Sequence, residues 1–440
     1  MIVSYIIFIL ISLFININNC FCIDNMTSLN LFFNSNDKKY VLDNGLTVIL
    51  KKSSILPIIS AQLWVKAGSL YETEQINGIS HFLEHLVFKG TEKYSLDKIS
   101  KIIESYGGVI NAGTSKEYTV YYIDIPKEGT EYMLDVLSQL VFKATFPEDE
   151  LEKERFVVIE EIKRYDDDPG NVLYENFNEK LFTSTPYKWR VIGKEENIRS
   201  FSRQDIISYY KTLYHPKNMV LSICGDFDDS IYDLVKKYFD VKISTEYISK
   251  NVLLDEQPKN NIFEVKKHKV QYTYFISGFL GPRIEDKHQY TGDVLSIILG
   301  EGISSRLYKI LREEKKLVYE IGSGFYTQVG PSIFYISGIC ERKNLEKVIE
   351  EINRILTDLM TKGPTDKELE KAKQIVLTRW YFNNETVHSK SATAAWWFLF
   401  KSLEELNFYI DNINKVKKED IKEFLSVYGQ KLVTFALEPE

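Results

Sequence analysis

The residues best suited to chemistry form the segment His81-Phe82-Leu83-Glu84-His85, which lies in an apolar stretch of the sequence. Residues four apart share one face of a helix, so both imidazoles can bind a single metal ion. Glu84 projects beside them and can accept a proton from a metal-bound water. The alternative is a pair of hydrogen-bonded core histidines beside a solvated glutamate. The metal interpretation is favoured because the apolar neighbours predict burial, and burying unpaired polar groups is costly.

A catalytic zinc site needs a third protein ligand and an open position for water. A long helix predicted to begin after Pro147 carries Glu154 and Glu161, which are two turns apart on one face. Glu152 and Glu160 on the same helix are interpreted as solvated residues. Residue types alone leave the choice of third ligand open.

Strands and helices must position these side chains. Asp43-Asn44-Gly45 predicts a tight turn between two strands, and alternating apolar residues over 59–65 predict a half-buried strand. A further strand is predicted over 118–126. Helices are predicted at four places, 79–88, 95–106, 132–142 and 147–166. Strands grouped with helices, rather than alternating with them, are typical of an α+β fold.

The second part of the chain repeats the first. Leu151-Glu152-Lys153 recurs as Leu369-Glu370-Lys371, each time after a proline and at the start of a long predicted helix. We therefore predict two homologous domains, 38–248 and 262–440, joined by a polar linker over 249–261. Each domain is expected to be a mainly antiparallel sheet packed with helices.

The two domains are expected to differ in chemistry. The offset between the repeated triplets aligns Glu154 with Ala372 and Glu161 with Arg379, and no second His-x-x-Glu-His segment exists. Only the first domain is therefore predicted to be catalytic.

Composition limits the class of protein. The chain has 440 residues, of which 44% are hydrophobic, so packed cores are expected. It carries 55 Lys and Arg against 62 Asp and Glu, a net charge of -7, and has no long basic run. A nucleic-acid partner is therefore not expected.

The segment 1–22 predicts export. An apolar run over 1–15 is shorter than the roughly 20 residues that span a bilayer, and Cys20-Phe21-Cys22 resembles a signal peptidase site. Cleavage after Cys22 would release a secreted or periplasmic protein. The absence of Lys or Arg before Lys38 leaves a retained membrane anchor as the alternative. The two remaining cysteines, Cys224 and Cys340, are predicted to be buried thiols without a disulfide.

The His-x-x-Glu-His order marks the inverzincins, and the chain resembles the pitrilysin family, especially its shorter processing-peptidase-like members. In that family the third-ligand glutamate follows the second histidine at a fixed spacing, and counting that spacing from His85 leads to Glu161. The resemblance extends over the whole chain after the leader through five further motifs: Asp43-Asn44-Gly45-Leu46, Gly107-Gly108 with Asn111-Ala112-x-Thr114, LEKERFVVIEEI, Tyr214-His215-Pro216-x-Asn218-Met219 and the closing strand 432–438. It implies two similar α+β domains that form a clamshell.

The resemblance also implies roles for individual residues. His81, His85 and Glu161 would bind one Zn²⁺ per chain, Glu84 would be the general base, and Glu154 would be an outer-shell carboxylate. Asn111 and Ala112 would belong to an edge strand that pairs with the substrate backbone.

From the second domain, Arg312 and Tyr319 would reach the substrate and the tetrahedral intermediate. The implied function is a zinc endopeptidase that acts on extended or unfolded peptides, working as a homodimer or as a heterodimer with a related subunit. The alternatives are a non-catalytic scaffold subunit of a processing-peptidase-like complex and a binding module whose zinc is purely structural.

Overall fold

The computed structural model describes residues 32–33, 37–243, 246–250, 252–256 and 261–440. The predicted signal peptide and part of the predicted linker lie outside these residues. The described chain forms a six-stranded and a five-stranded sheet. The strands of the first sheet are β1 (Lys38–Val41), β2 (Thr47–Lys52), β3 (Ile58–Val65), β4 (Val109–Thr114), β5 (Thr119–Pro126) and β6 (Met219–Gly225). Those of the second are β7 (Ile262–His268), β8 (Thr273–Leu280), β9 (Val318–Tyr326), β10 (Ile333–Cys340) and β11 (Val433–Pro439).

The two sheets share one topology. Their strand orders are β1-β2-β6-β3-β5-β4 and β7-β11-β8-β10-β9, so the second repeats the first without β1. In each sheet one neighbouring pair is parallel, β2 with β6 and β11 with β7, and the other pairs are antiparallel. The predicted duplication and the mainly antiparallel α+β fold are therefore confirmed. Both sheets lie within the predicted domains, whose exact boundaries stay predictions.

Helices surround both sheets. In the first half they are α1 (Ile79–Val87), α2 (Leu96–Ser105), α3 (Thr130–Phe142), α4 (Glu148–Asp167), α5 (Pro169–Leu181), α6 (Glu195–Ser200), α7 (Arg203–Leu213) and α8 (Ile231–Phe239). In the second half they are α9 (Gln289–Gly300), α10 (Leu345–Lys362), α11 (Asp366–Phe382), α12 (Val387–Phe400), α13 (Leu403–Leu406), α14 (Tyr409–Lys415) and α15 (Lys418–Tyr428), with a π-helical segment at Tyr308–Glu314. The four helices predicted from the sequence are confirmed.

Each half contributes a helix to the sheet of the other half. Helix α5 of the first half packs on β8 and β11, and α12 of the second half packs on β3 and β6. The cores formed there contain residues of both halves, such as Phe177 with Phe435 and Trp64 with Trp397. The two domains are therefore joined by shared hydrophobic cores as well as by the chain.

This exchange corrects one prediction. Strand β3 was expected to be half-buried, but Ser60, Gln62 and Trp64 on its second face are all buried. The reason is that α12 covers this face: the Gln62 amide donates to the carbonyl of His388 at 2.9 Å, and Trp64 Nε1 donates to Gln62 at 3.0 Å. A covering helix from the far end of the chain leaves no signal in the local alternation.

The predicted linker includes a buried residue. Within its described part, the Glu256 carboxylate accepts hydrogen bonds from the backbone N–H groups of Ser184 and Thr185, both at 2.9 Å. Cys224 and Cys340 are buried free thiols, as predicted. In the described ranges, no helix is long and apolar enough to cross a membrane.

Candidate metal centre

Helix α1 contains the His-x-x-Glu-His segment and has one buried face and one more open face. Ile79, Phe82, Leu83, Leu86 and Val87 pack into the core of the first half, which leaves the two histidines and Glu84 on the other side. Apolar residues at this helical spacing fix the rotation of the helix, and with it the direction of the three polar side chains.

The start of α1 is held by a buried carboxylate. Glu72 accepts hydrogen bonds from the backbone N–H groups of Gly78 at 2.8 Å and Ser80 at 2.9 Å. Gly78 has φ 101° and lies against Gly193, where a Cβ would come within 2.8 Å of the Gly193 Cα. Glu72 thus satisfies helix N–H groups that have no partner within the helix. Glu72 was not among the residues predicted from the sequence.

Helix α4 brings the third candidate ligand to the histidines. The Nε2 atoms of His81 and His85 lie 3.9 Å and 3.5 Å from Glu161 Oε2, and one ligand atom of each residue falls within 4.8 Å of the others. Zinc bonds of about 2.0–2.2 Å in a tetrahedral arrangement place ligand atoms roughly 3.4 Å apart. The three side chains therefore fit a zinc ion, and the spacing recognised in the sequence does bring Glu161 to the histidines.

The surroundings favour a neutral imidazole at His81 but not at His85. Burial, helped by the nearby His85, lowers the pKa of His81 to about 3, so its ring is neutral at physiological pH. Its buried Nδ1 atom has no hydrogen-bond partner among the described residues. Burial also lowers the pKa of His85, but the hydrogen bond to Glu154 and the charges of Glu84 and Glu161 outweigh this and raise it. A dication would favour the deprotonated form of both rings.

Glu154 fixes the orientation of one histidine. Its Oε1 atom lies 2.8 Å from His85 Nδ1, which leaves Nε2 directed toward Glu161. Lys89 Nζ lies 2.5 Å from the other carboxylate oxygen. Burial raises the pKa of Glu154, but the hydrogen bonds from His85 and Lys89 outweigh it and keep the pKa below its usual range. The contact is the one expected of an outer-shell carboxylate.

Glu84 contacts strand β4. The Thr114 hydroxyl donates to Glu84 Oε2 at 2.5 Å. Burial raises the pKa of Glu84, and the hydrogen bond from Thr114 opposes this shift. Thr114 stands within a motif recognised in the sequence, but a contact between residues on different elements has no local signal.

The predicted substrate strand is an edge strand. In the described part of the chain, strand β4 ends the order of the first sheet, pairs with β5 alone and packs beside α1. Within it Asn111 is exposed and Ala112 is half-buried, and they pair with Tyr122 and Tyr121. Among the described strands, the other edge of β4 has no partner and lies next to the helix that carries Glu84, so an extended peptide could be added to the sheet there.

Arg312 and Tyr319 lie together in the second half. They line a shared cavity of about 380 Å³, with Arg312 on the π-helical segment and Tyr319 in β9. The Tyr319 hydroxyl donates to Glu341 at 2.5 Å. Among the described residues, no hydrogen bond or ion pair joins either side chain to the zinc-ligand candidates or to Glu84. The structure therefore brings the pair together but does not join it to the metal centre.

Comparisons with known proteins agree with this arrangement. A family model described as Insulinase (Peptidase family M16) matches residues 47–195, and one described as Peptidase M16 inactive domain matches residues 200–376. The uncharacterized zinc protease YmxG of Bacillus subtilis is 32% identical over 385 residues, which cover 87% of this chain and 93% of that protein. Zinc protease PqqE of Helicobacter pylori is 31% identical over 339 residues, 76% of each chain.

Solved structures show the same fold. A protease from Helicobacter pylori matches with a TM-score of 0.85 and 27% identity, covering 92% of this chain and 99% of that one. The periplasmic protease PqqL from Escherichia coli matches with a TM-score of 0.76 and 19% identity, covering 93% of this chain and 48% of that one. The molecule thus has the clamshell fold of M16-like peptidases. The chain belongs to the insulinase family, peptidase family M16, which confirms the resemblance seen in the sequence.

Proposed function

We propose that this protein is a zinc-dependent endopeptidase that hydrolyses extended or unfolded peptides. The observation that carries the proposal is the convergence of His81, His85 and Glu161 within 4.8 Å, with the Glu84 carboxylate on the same helix as the histidines. Two histidines and one carboxylate are the ligand set of many catalytic zinc sites. At the family level, the relatives named zinc proteases support the same chemistry.

Each side chain has a separate task. His81, His85 and Glu161 would hold the zinc ion, which supplies an acidified water and polarises the substrate carbonyl. Glu84 would accept a proton from the water and later deliver it to the leaving amine. Thr114 orients the Glu84 carboxylate through its hydrogen bond, and Glu154 holds the tautomer of His85 in which Nε2 is free.

The edge strand β4 of the first sheet indicates the conformation of the substrate. A peptide paired with β4, along Asn111 and Ala112, would run beside α1 as an added strand. Main-chain pairing needs an extended backbone and tolerates many side chains. Extended or unfolded peptides are therefore the proposed substrates, with broad sequence preference.

A direct experiment combines metal content with turnover. The purified chain should bind one zinc per chain and cleave a quenched unstructured peptide, and chelation should abolish cleavage until zinc is restored. A scaffold subunit would give no cleavage in either state. A structural zinc would give metal binding without cleavage, and would need a fourth protein ligand, whereas the described residues bring three together.

We also propose a homodimer or a heterodimer with a related subunit as the working form, as the resemblance to the shorter processing-peptidase-like members implies. Sizing of the purified chain by light scattering separates these states. Export, with the segment 1–22 as a signal peptide or an anchor, is part of the proposal. The structural neighbour PqqL is described as periplasmic.

Arg312 and Tyr319 are proposed to donate hydrogen bonds to the substrate when the two halves close around it. Arg312→Ala and Tyr319→Phe should each lower kcat/KM by roughly ten- to a thousandfold, as expected for lost oxyanion donors. Zinc content and thermal stability should stay near wild type, because both side chains are exposed and lie outside the metal centre.

Arg342→Ala is the matched control for this prediction. Arg342 is an exposed arginine of the same half that pairs with Glu438 at 3.0 Å. Its removal should leave kcat/KM unchanged. If Arg312→Ala and Tyr319→Phe behave like this control in a chain that cleaves peptides, the pair has no catalytic role.

A further inference from the structure

The turn between β4 and β5 contacts the second half of the molecule. Within this turn, residues 115–118, Glu117 is buried, and its Oε1 atom accepts two hydrogen bonds. One comes from the Tyr187 hydroxyl and the other from the backbone N–H of Val329 at 2.7 Å. Tyr187 belongs to the first half, whereas Val329 lies in the turn between β9 and β10. One carboxylate therefore joins the two halves.

Tyr187 completes this junction. Its hydroxyl accepts a hydrogen bond from the backbone N–H of Gly330 at 2.8 Å. The backbone approaches so closely that a Cβ on Gly330 would lie 2.3 Å from a ring carbon of Tyr187. On the other side, the buried Lys116 ammonium donates to the carbonyl of Tyr187 at 2.7 Å. The junction is thus closely packed, and both the hydroxyl and the carbonyl of Tyr187 are hydrogen-bonded.

The last residue of β4, which precedes this turn, contacts the proposed general base. Thr114, just before the turn, donates to Glu84 at 2.5 Å. The intervening backbone is held in place, because the Ser115 N–H bonds the carbonyl of Tyr118 at 2.7 Å and the Lys116 carbonyl accepts from Leu70 at 2.8 Å. A shift at Glu117 would therefore move Thr114 instead of being absorbed by a loose loop.

We propose that Glu117 is a positioning residue that couples the docking of the second half to the placement of Thr114 and Glu84. This inference rests on the proposed peptidase function and deepens it. Burial raises the pKa of Glu117 to about 7, so the carboxylate depends on the donors from both halves. When these donors are in place, Thr114 at the end of β4 keeps its hydrogen bond to Glu84 and orients the carboxylate for hydrolysis.

Tyr187→Phe tests the coupling because it removes the shared hydroxyl without changing the shape of the core. It should lower kcat about ten- to a hundredfold, the loss expected for misplaced reacting groups. Zinc content should not change, since no metal-ligand candidate is touched. Tyr210→Phe is the matched control: its hydroxyl donates to the Val141 carbonyl at 2.6 Å within the first half. It should keep the wild-type kcat.

A double-mutant cycle with Thr114→Val separates positioning from general loss of stability. If Glu117 and Tyr187 act through Thr114, Tyr187→Phe should cost little further activity in the Thr114→Val background, because contacting or coupled residues are not additive. Tyr210→Phe should leave the activity of the Thr114→Val background unchanged. The proposal would be overturned if the activity of the double variant fell by the product of the two single-variant factors.

A second measurement does not depend on turnover. Hydrogen exchange followed by mass spectrometry should show faster exchange over the β4–β5 hairpin in Tyr187→Phe but not in Tyr210→Phe. Unchanged exchange in the hairpin would overturn the coupling whether or not the chain cleaves peptides. Hydrogen exchange in the hairpin and the double-mutant cycle can both behave as expected while Glu84→Gln keeps wild-type turnover. In that case the coupling through Glu117 is supported and the proposed role of Glu84 as the base is wrong.

Discussion

Replacing Glu84 by glutamine should lower peptide hydrolysis by about a hundredfold or more while zinc remains bound. Glutamine has the size of glutamate, and its carbonyl oxygen can still accept the hydrogen bond from Thr114. The amide cannot take a proton from water, and general-base help is worth about a hundred- to ten-thousandfold. Zinc per chain, measured by elemental analysis, should match wild type because Glu84 is not among the three proposed ligands.

Glu160→Gln is the control for this prediction. Glu160 is an exposed residue of α4 that pairs with Lys163 at 2.7 Å. Its replacement should change neither turnover nor zinc content. Wild-type turnover in Glu84→Gln would exclude Glu84 as the base, and a loss of zinc in Glu84→Gln would mean that it ligates the metal.

The part of the site that the sequence predicted depends on helical geometry. His81, Glu84 and His85 lie on one turn of α1, and Glu154 and Glu161 are two turns apart on α4. In each set, sequence spacing translates directly into a shared face. The link between the two helices came from the family resemblance, because no local pattern tells which helix faces α1.

The remaining contacts could not be predicted for the same reason. Glu72, Thr114 and Glu117 each act on residues of another element or of the other half. Burial of such carboxylates depends on tertiary packing, and in the sequence they are ordinary polar residues of loops and strand ends. The exchange of α5 and α12 between the halves was missed as well, since amphipathic patterns show that a face is covered but not by which helix.

The exchanged helices also bear on how the halves can move. Shared cores around Phe177 and Trp397 hold the domains together. Glu117 bonds the second half, and Thr114, three residues earlier, bonds Glu84 beside the metal centre. Large opening of the clamshell would expose these cores, which is costly for buried aromatic residues. Any closure of the two halves around a peptide is therefore expected to be small.

Replacing Glu161 by glutamine should release the zinc and, with it, abolish hydrolysis. The Glu161 carboxylate oxygen lies 3.5 Å and 3.9 Å from the Nε2 atoms of His85 and His81, so it supplies the anionic donor of the three. A neutral amide is a much weaker ligand for a dication than a carboxylate. The zinc content of purified Glu161→Gln should therefore fall well below one per chain, and activity should fall by at least the factor seen for Glu84→Gln.

The adjacent Glu160→Gln variant makes this prediction specific. Neighbouring residues of a helix point about 100° apart, so Glu160 and Glu161 differ in direction while sharing charge and helix. Since α4 turns Glu161 toward α1 and leaves Glu160 paired with Lys163, only the former should control metal content. Partial recovery of activity in Glu161→Gln at high added zinc would be expected if weak binding is the sole defect. Equal zinc content in the two variants would mean that a different residue completes the site.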